Sequence, residues 1–347
     1  MPVTLEDGDL LLVQIDVNDK EKPVDLVIRG GEIVQEVATG RWPGAQESHV
    51  MLFVDLRNED EKLNQQARGL SPGESRAHVV HSEPAGLIGC PLYANKQGHA
   101  EDLRVLRCTD RKLAACAAQV AVDLYLNTNQ GQQSSYSWSQ YGKMGARMVK
   151  ELTSNNRVVK GFMTAWTAYD IYATLATGGL WGLAWRVPYY GLSYGTSMAL
   201  EWISSDVHFT QQKSGQLTSK GEFKLFEQFH KYYDYTGRTK PVAVSEVCSS
   251  WAILCYQLAY VKLVRYFDHP ARTNLGPGVI QSPMGLRDLY IESGLFQDVG
   301  IVQGAYDAEH RKFGEVDEYN RQYERLLRRK QKEFSLKGKP PFAEAPF

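Results

Sequence analysis

No CxxC pair occurs in this chain, and its cysteines, Cys90, Cys108, Cys116, Cys248 and Cys255, are odd in number. Neither a disulfide framework nor a zinc site is indicated, and reduced thiols are expected. Charge of one sign is missing too. Lys and Arg total 39 against 40 Asp and Glu, and the net charge of −1 removes any bulk electrostatic case for a nucleic-acid partner. No apolar run is long enough to cross a bilayer, since the richest stretch, 178–195, is broken by Arg186 and Pro188. The N-terminus Met1-Pro2-Val3-Thr4-Leu5-Glu6-Asp7 has neither a basic region nor an apolar core, so no signal peptide is expected. Synthesis in the cytoplasm is the expectation, and a target outside it would require a dedicated export route. Internal repeats are absent as well.

What remains is ordinary globular composition, 43% apolar and 23% charged, over 347 residues. That is enough for one large domain or two small ones. Residues 9–17 (DLLLVQIDV), 24–28, 32–37, 49–56, 77–82, 86–89 and 103–107 read as strands, being short apolar or alternating runs bounded by turns. From 111 to 126 alanine is abundant and glycine and proline are absent, which predicts a helix. Further helices are expected at 138–152, 162–177, 223–233, 248–267 and 318–334. The tail 337–347, with three prolines, is expected to be disordered.

Chemistry is concentrated in three places. Cys248 opens the apolar helix within Ser245-Glu246-Val247-Cys248-Ser249-Ser250-Trp251. A thiol at a helix N-terminus is favoured as thiolate by the helix dipole and the open N–H groups. His49, in Glu47-Ser48-His49-Val50-Met51, and His81, in His78-Val79-Val80-His81-Ser82-Glu83, each sit in an apolar strand-like run. One imidazole can take the thiol proton and a second polar group can orient it. His49 is the candidate base. The orienter is His81 or, two residues on and on the same strand face, Glu83. Cys108, Cys116 and Cys255 read as packing, and Asp9, after Gly8, reads as a structural hydrogen-bonding residue.

Gly8-Asp9-Leu10, Ser48-His49-Val50-Met51-Leu52-Phe53, Val79-Val80-His81 and Val247-Cys248-Ser249-Ser250 resemble, in this order, the circularly permuted papain-like enzymes. These are the permuted NlpC/P60 group, which includes lecithin:retinol acyltransferase-like enzymes and bacterial peptidoglycan-directed hydrolases. The resemblance covers roughly residues 5–126 and 241–268. It implies an α+β fold with an antiparallel sheet packed on the cysteine helix. It also implies Cys248 as nucleophile, His49 as base and no metal or organic cofactor.

The domain reading follows from this resemblance. Residues 1–126 carry the sheet and first helix, 127–240 form a large helical insertion, and 241–336 hold the cysteine helix and a C-terminal helical region. Trp181, Trp185, Tyr189, Tyr190 and Arg186 are the candidate substrate-binding residues, forming an apolar cleft wall with one cation that grips a carboxylate or phosphate. The resemblance to bacterial members implies amide cleavage in peptide or peptidoglycan. It fits a toxin-like antibacterial effector exported by a dedicated secretion system, with an immunity protein as its partner. Two alternatives stay open: a lipid acyl hydrolase or thiol-dependent acyltransferase, and a catalytically silent binding protein of the same fold.

Overall fold

The computed structural model describes residues 3–15, 46–57, 77–83, 86–92, 101–128, 219–242, 244, 246–267, 269, 283–306 and 325–331. Their elements follow one another in chain order as five strands, four helices and a sixth strand. The strands are β1 (Leu10–Ile15), β2 (Gln46–Asp55), β3 (Ala77–Glu83), β4 (Gly86–Pro91), β5 (Glu101–Cys108) and β6 (Phe296–Tyr306). The helices are α1 (Arg111–Thr128), α2 (Ser219–Tyr232), α3 (Cys248–Tyr266) and α4 (Pro283–Glu292). Residues 325–331 are also helical. The fold is α+β, built on a six-stranded antiparallel sheet of order β4-β3-β2-β1-β5-β6. The strands expected at 24–28 and 32–37, the helices at 138–152 and 162–177, and the tail 337–347 lie outside the described residues.

The chain divides into two compact units. One comprises Met1–Asp19, Glu47–Trp138 and Phe209–Phe347, and the other Lys20–Gln46 with Ser139–His208. Residues 219–240, which the sequence reading assigns to the insertion, belong to the first unit. There Leu225, Phe229, Tyr232 and Tyr233 pack with α3 in one core.

Period-two alternation splits the sheet into two apolar faces. Leu10, Leu12, Val50, Leu52, Val54 and Val80 join the core that holds α1, α2 and α3. Leu11, Val13, Met51, Phe53, Val79, Leu103 and Val105 form a second cluster. α3 is apolar nearly all round, which suits a helix buried on every side. From Trp251 to Leu263 every one of its residues is buried. Small residues Ala114, Ala117, Ala118 and Ala121 on α1 let it lie close against α3. α1 starts where Asp110 caps it: Leu113 N–H donates to Asp110 Oδ1 at 3.1 Å, and Ala114 N–H to Asp110 O at 2.9 Å.

The Gly8-Asp9 step locks the sheet to both helices. Asp9 is fully buried. It accepts from Arg107 Nη2 at 2.8 Å and Nε at 3.1 Å, and from the Glu6 N–H at 2.9 Å. Burial pushes the Asp9 pKa up, while the Arg107 guanidinium opposes that rise. Phe53 N–H donates to Asp9 O, and Gly8 N–H to Phe53 O, at 2.9 and 3.0 Å. Tyr256 of α3 donates its hydroxyl to the Gly8 carbonyl. One aspartate therefore ties β1, β5 and the chain entry together, a structural role. Near it Asp7 accepts from the Asp55 N–H at 2.7 Å and pairs with Lys330. The basic helical segment 325–331 is thus held to the core at Lys330. Arg325, Arg328 and Arg329 are exposed, but Leu327 and Lys330 are buried.

His78, on the α3-facing side of β3 by alternation with Val80, is fully buried. Desolvation pushes its pKa well below the ordinary value of 6.5. The unfolded chain then binds a proton that the folded chain refuses. Stability from this group is complete above the unfolded pKa and is lost as pH falls below it. The expected slope is about 1.4 kcal/mol per pH unit under about pH 6.5. Urea unfolding at pH 7.5 and pH 5 should show the wild type losing more stability than His78→Leu. Parallel pH curves for the two proteins would rule out a neutral buried imidazole.

Candidate active site

β2 and β3 are neighbours, with Leu52 opposite Val80 and Asp55 opposite Ala77. His49 and His81 lie further along these strands, and their rings meet. Nε2 of His49 is 2.7 Å from Nδ1 of His81. The rings are edge-on, 4.8 Å between centroids and 80° between planes. One nitrogen must donate and the other accept, so the contact fixes a tautomer and excludes full protonation of both rings in this geometry. His81 is fully buried and His49 partly so. The alternative orienter Glu83 pairs through its backbone with Gly86 at the β3–β4 turn, and its side chain lies outside the described residues.

The base-bearing end of β2 is held from two sides. Glu47, two residues before His49, is buried. It accepts from Arg287 Nη1 of α4 at 2.6 Å, and pairs with Arg104 Nε of β5 at 3.1 Å. Burial pushes the Glu47 pKa up, and Arg287 and then Arg104 counter it. The sequence reading missed this residue. It lies in the polar opening of β2, Gln46-Glu47-Ser48-His49, where nothing local sets it apart.

Cys248 is the first residue of α3. Val247 is the N-cap, extended at φ −79° and ψ 163°, and contributes no side-chain cap. The first intrahelical bond runs from the Trp251 N–H to Val247 O at 2.8 Å. N–H groups of the opening turn point beyond the helix, as at every α-helix start. Cys248 is 4% exposed. Cys255, one face-repeat later, is fully buried, and burial holds its thiol well above the ordinary range. Cys116, also fully buried, is pushed up to about 12 by burial. Both fit packing roles. The Cys90 side chain lies outside the described residues.

β3 reaches the α3 start directly. Ser82 Oγ donates to the Glu246 carbonyl at 2.5 Å, across 164 residues of sequence. Alternation places Ser82 with Val80 on the α3-facing side and His81 with Val79 on the other. The described residues thus bring His49 to His81 and carry the Cys248 segment onto the strand holding His81. Trp181, Trp185, Arg186, Tyr189 and Tyr190 lie outside the described residues.

Among the described residues no group of three His, Cys, Asp or Glu side chains could hold a metal ion. No described helix is long and apolar enough to cross a membrane. Comparison with protein-family models, with curated proteins and with solved structures yields no match to this chain.

Proposed function

We propose that this chain is a cysteine hydrolase of the permuted papain-like type, cleaving an amide bond through Cys248, His49 and His81. The observation that carries the reading is the 2.7 Å contact between the two imidazoles, on neighbouring strands one of which is bonded to the α3 start. For His49 to act as base its Nδ1 must hold a lone pair, so Nε2 carries the proton and donates to His81 Nδ1. That same bond stabilises the imidazolium formed when Nδ1 takes the Cys248 proton.

The thiolate attacks the acyl carbon, and the oxyanion is received by N–H groups of the first helical turn. His49 returns its proton to the leaving amine as the C–N bond breaks. Water then attacks the thioester, losing a proton to His49, and the thiolate leaves and is reprotonated. The amide class and a peptide or peptidoglycan substrate come from the resemblance of the motifs. So does the role of an exported antibacterial effector.

A catalytically silent binding protein has one observation in its favour. Strict alternation puts His81 on the sheet face of Val79, opposite the face on which α3 packs. Iodoacetamide separates the two readings. A rate comparison among cysteines is not enough, because Cys108, Cys116 and Cys255 are fully buried and slow for that reason alone. The pH profile of Cys248 alkylation is decisive. The hydrolase reading expects a midpoint well below the ordinary thiol value of about 8.5, moved up by about one unit or more in His49→Gln. A midpoint at the ordinary value, indifferent to His49→Gln, would establish the silent protein instead.

A further inference from the structure

We propose that Ser82 is a positioning residue for the nucleophile: its hydroxyl, bonded to the Glu246 carbonyl, sets where Cys248 stands relative to the histidine pair. The inference rests on the cysteine hydrolase reading and names a residue that reading does not use.

Ser82 is 1% exposed and its hydroxyl donates to Glu246 O at 2.5 Å. Helix geometry leaves that carbonyl available. The α3 ladder begins one residue later, at Val247 O, which accepts from the Trp251 N–H. The Glu246 carbonyl thus lies ahead of the helix, and its bond to Ser82 tethers the chain entering α3 to β3 while leaving the N–H groups of the first turn uncapped by Val247.

The circuit is short. His81 and Ser82 are consecutive, with Cα atoms about 3.8 Å apart. Glu246 and Cys248 are two positions apart, at most about 7 Å. Five residues and one hydrogen bond therefore connect the orienting imidazole to the nucleophile. Ser82 and Glu246 lie 164 positions apart in the sequence, and the chain between them cannot set a distance of this kind. A nucleophile and its base need a defined separation of about 3 Å, and a shift of about 1 Å can cost about a hundredfold in rate.

The other end of the circuit is held independently. Glu47, bonded to Arg287 and Arg104, fixes the β2 end that carries His49. Loss of the Ser82 hydroxyl should then move the cysteine rather than the histidines.

The test compares Ser82→Thr with Ser82→Val in the full chain. The two side chains have the same shape and differ in the hydroxyl alone. The readouts are the pH profile of Cys248 alkylation by iodoacetamide and the NMR titration of the His49 and His81 ring protons. Ser82→Thr should keep the wild-type thiol midpoint. Ser82→Val should raise it by about one unit, labelling about tenfold more slowly at pH 6, with the imidazole contact retained. Identical profiles for the Thr and Val variants would overturn the positioning role while leaving the hydrolase reading intact. An ordinary thiol midpoint in the wild type would remove the hydrolase reading, and the positioning role with it. Should Ser82→Val not fold, Ser82→Ala gives the same comparison, with the same outcomes.

Discussion

Gly8→Ala should be among the most damaging single-methyl additions in this protein, costing about 3–5 kcal/mol of stability or preventing folding altogether. Two effects add. Gly8 has φ +78°, in the left-handed region where an L side chain costs about 1–2 kcal/mol. Its missing Cβ is also filled by backbone. A Cβ built there would lie 2.2 Å from Ala114 O and 2.5 Å from Ala114 C. Those atoms belong to the first turn of α1, which cannot give way as a flexible side-chain tip would. Moving α1 would disturb the Tyr256 hydroxyl bond to Gly8 O and the Asp9–Arg107 pair beside it.

Gly294 supplies the control. It has φ +71°, and nothing lies within 4 Å of its would-be Cβ. Gly294→Ala should cost only the backbone share, about 1–2 kcal/mol. Urea unfolding of both variants measures the difference. Equal losses would show that α1 does not press on Gly8.

This contact illustrates what the sequence discloses and what it withholds. Gly-Asp ahead of an apolar run marks a strand entry, and a left-handed glycine is a natural reading of it. That the glycine touches α1 is a fact of assembly, carried by a backbone atom 106 positions away that has no sequence signature. β1 to β5 and α1 to α3 were legible within a few residues, because alternation, the alanine-rich run and the apolar run after Val247 are local signals. β6 and α4 were not. β6 carries Gly300 and Gly304 among polar Gln297, Asp298 and Gln303, and its pairing with β5 is irregular between Val105 and Leu106. α4 is ten residues long, begins on Pro283 and contains Gly285. Neither segment offers a clean period.

The site divides in the same way. His49 and His81 could be singled out because a histidine in an apolar strand is conspicuous, and the pairing of β2 with β3 brings their rings together. Ser82 and Glu47 were passed over. Their importance lies in partners, a backbone carbonyl and two arginines, that only the fold brings near. A serine beside a histidine, or a glutamate at a strand start, looks the same in sequence whether or not such a partner exists.

Asp123 and Lys262 supply the second large effect, and the expected result is asymmetric. Lys262 Nζ of α3 lies 3.3 Å from Asp123 Oδ2 of α1, and both side chains are buried. Asp123 has two further donors, the Tyr233 hydroxyl at 3.0 Å and Gln119 Nε2 at 2.9 Å. Burial, and then Asp123, hold the Tyr233 hydroxyl protonated far above its ordinary range, so it stays a donor at any working pH. Lys262 has no other acidic acceptor among the contacts described, although its ammonium lies 5.4 Å from the centre of the Tyr233 ring.

Asp123→Asn therefore strands an ammonium in the core, and should cost about 3–5 kcal/mol. Lys262→Met should cost less, because Asp123 keeps two hydrogen bonds. Asp123→Asn combined with Lys262→Met removes both charges and keeps an amide oxygen to accept from Tyr233 or Gln119. It should fall close to the wild type, within about 1–2 kcal/mol, even though it deletes the ion pair outright. The coupling measured by this cycle, from urea unfolding at pH 7, should be large and favourable to the pair. If the losses of the two single variants simply add in the double, the charges do not meet in the core, and the packing of α1 against α3 owes nothing to them.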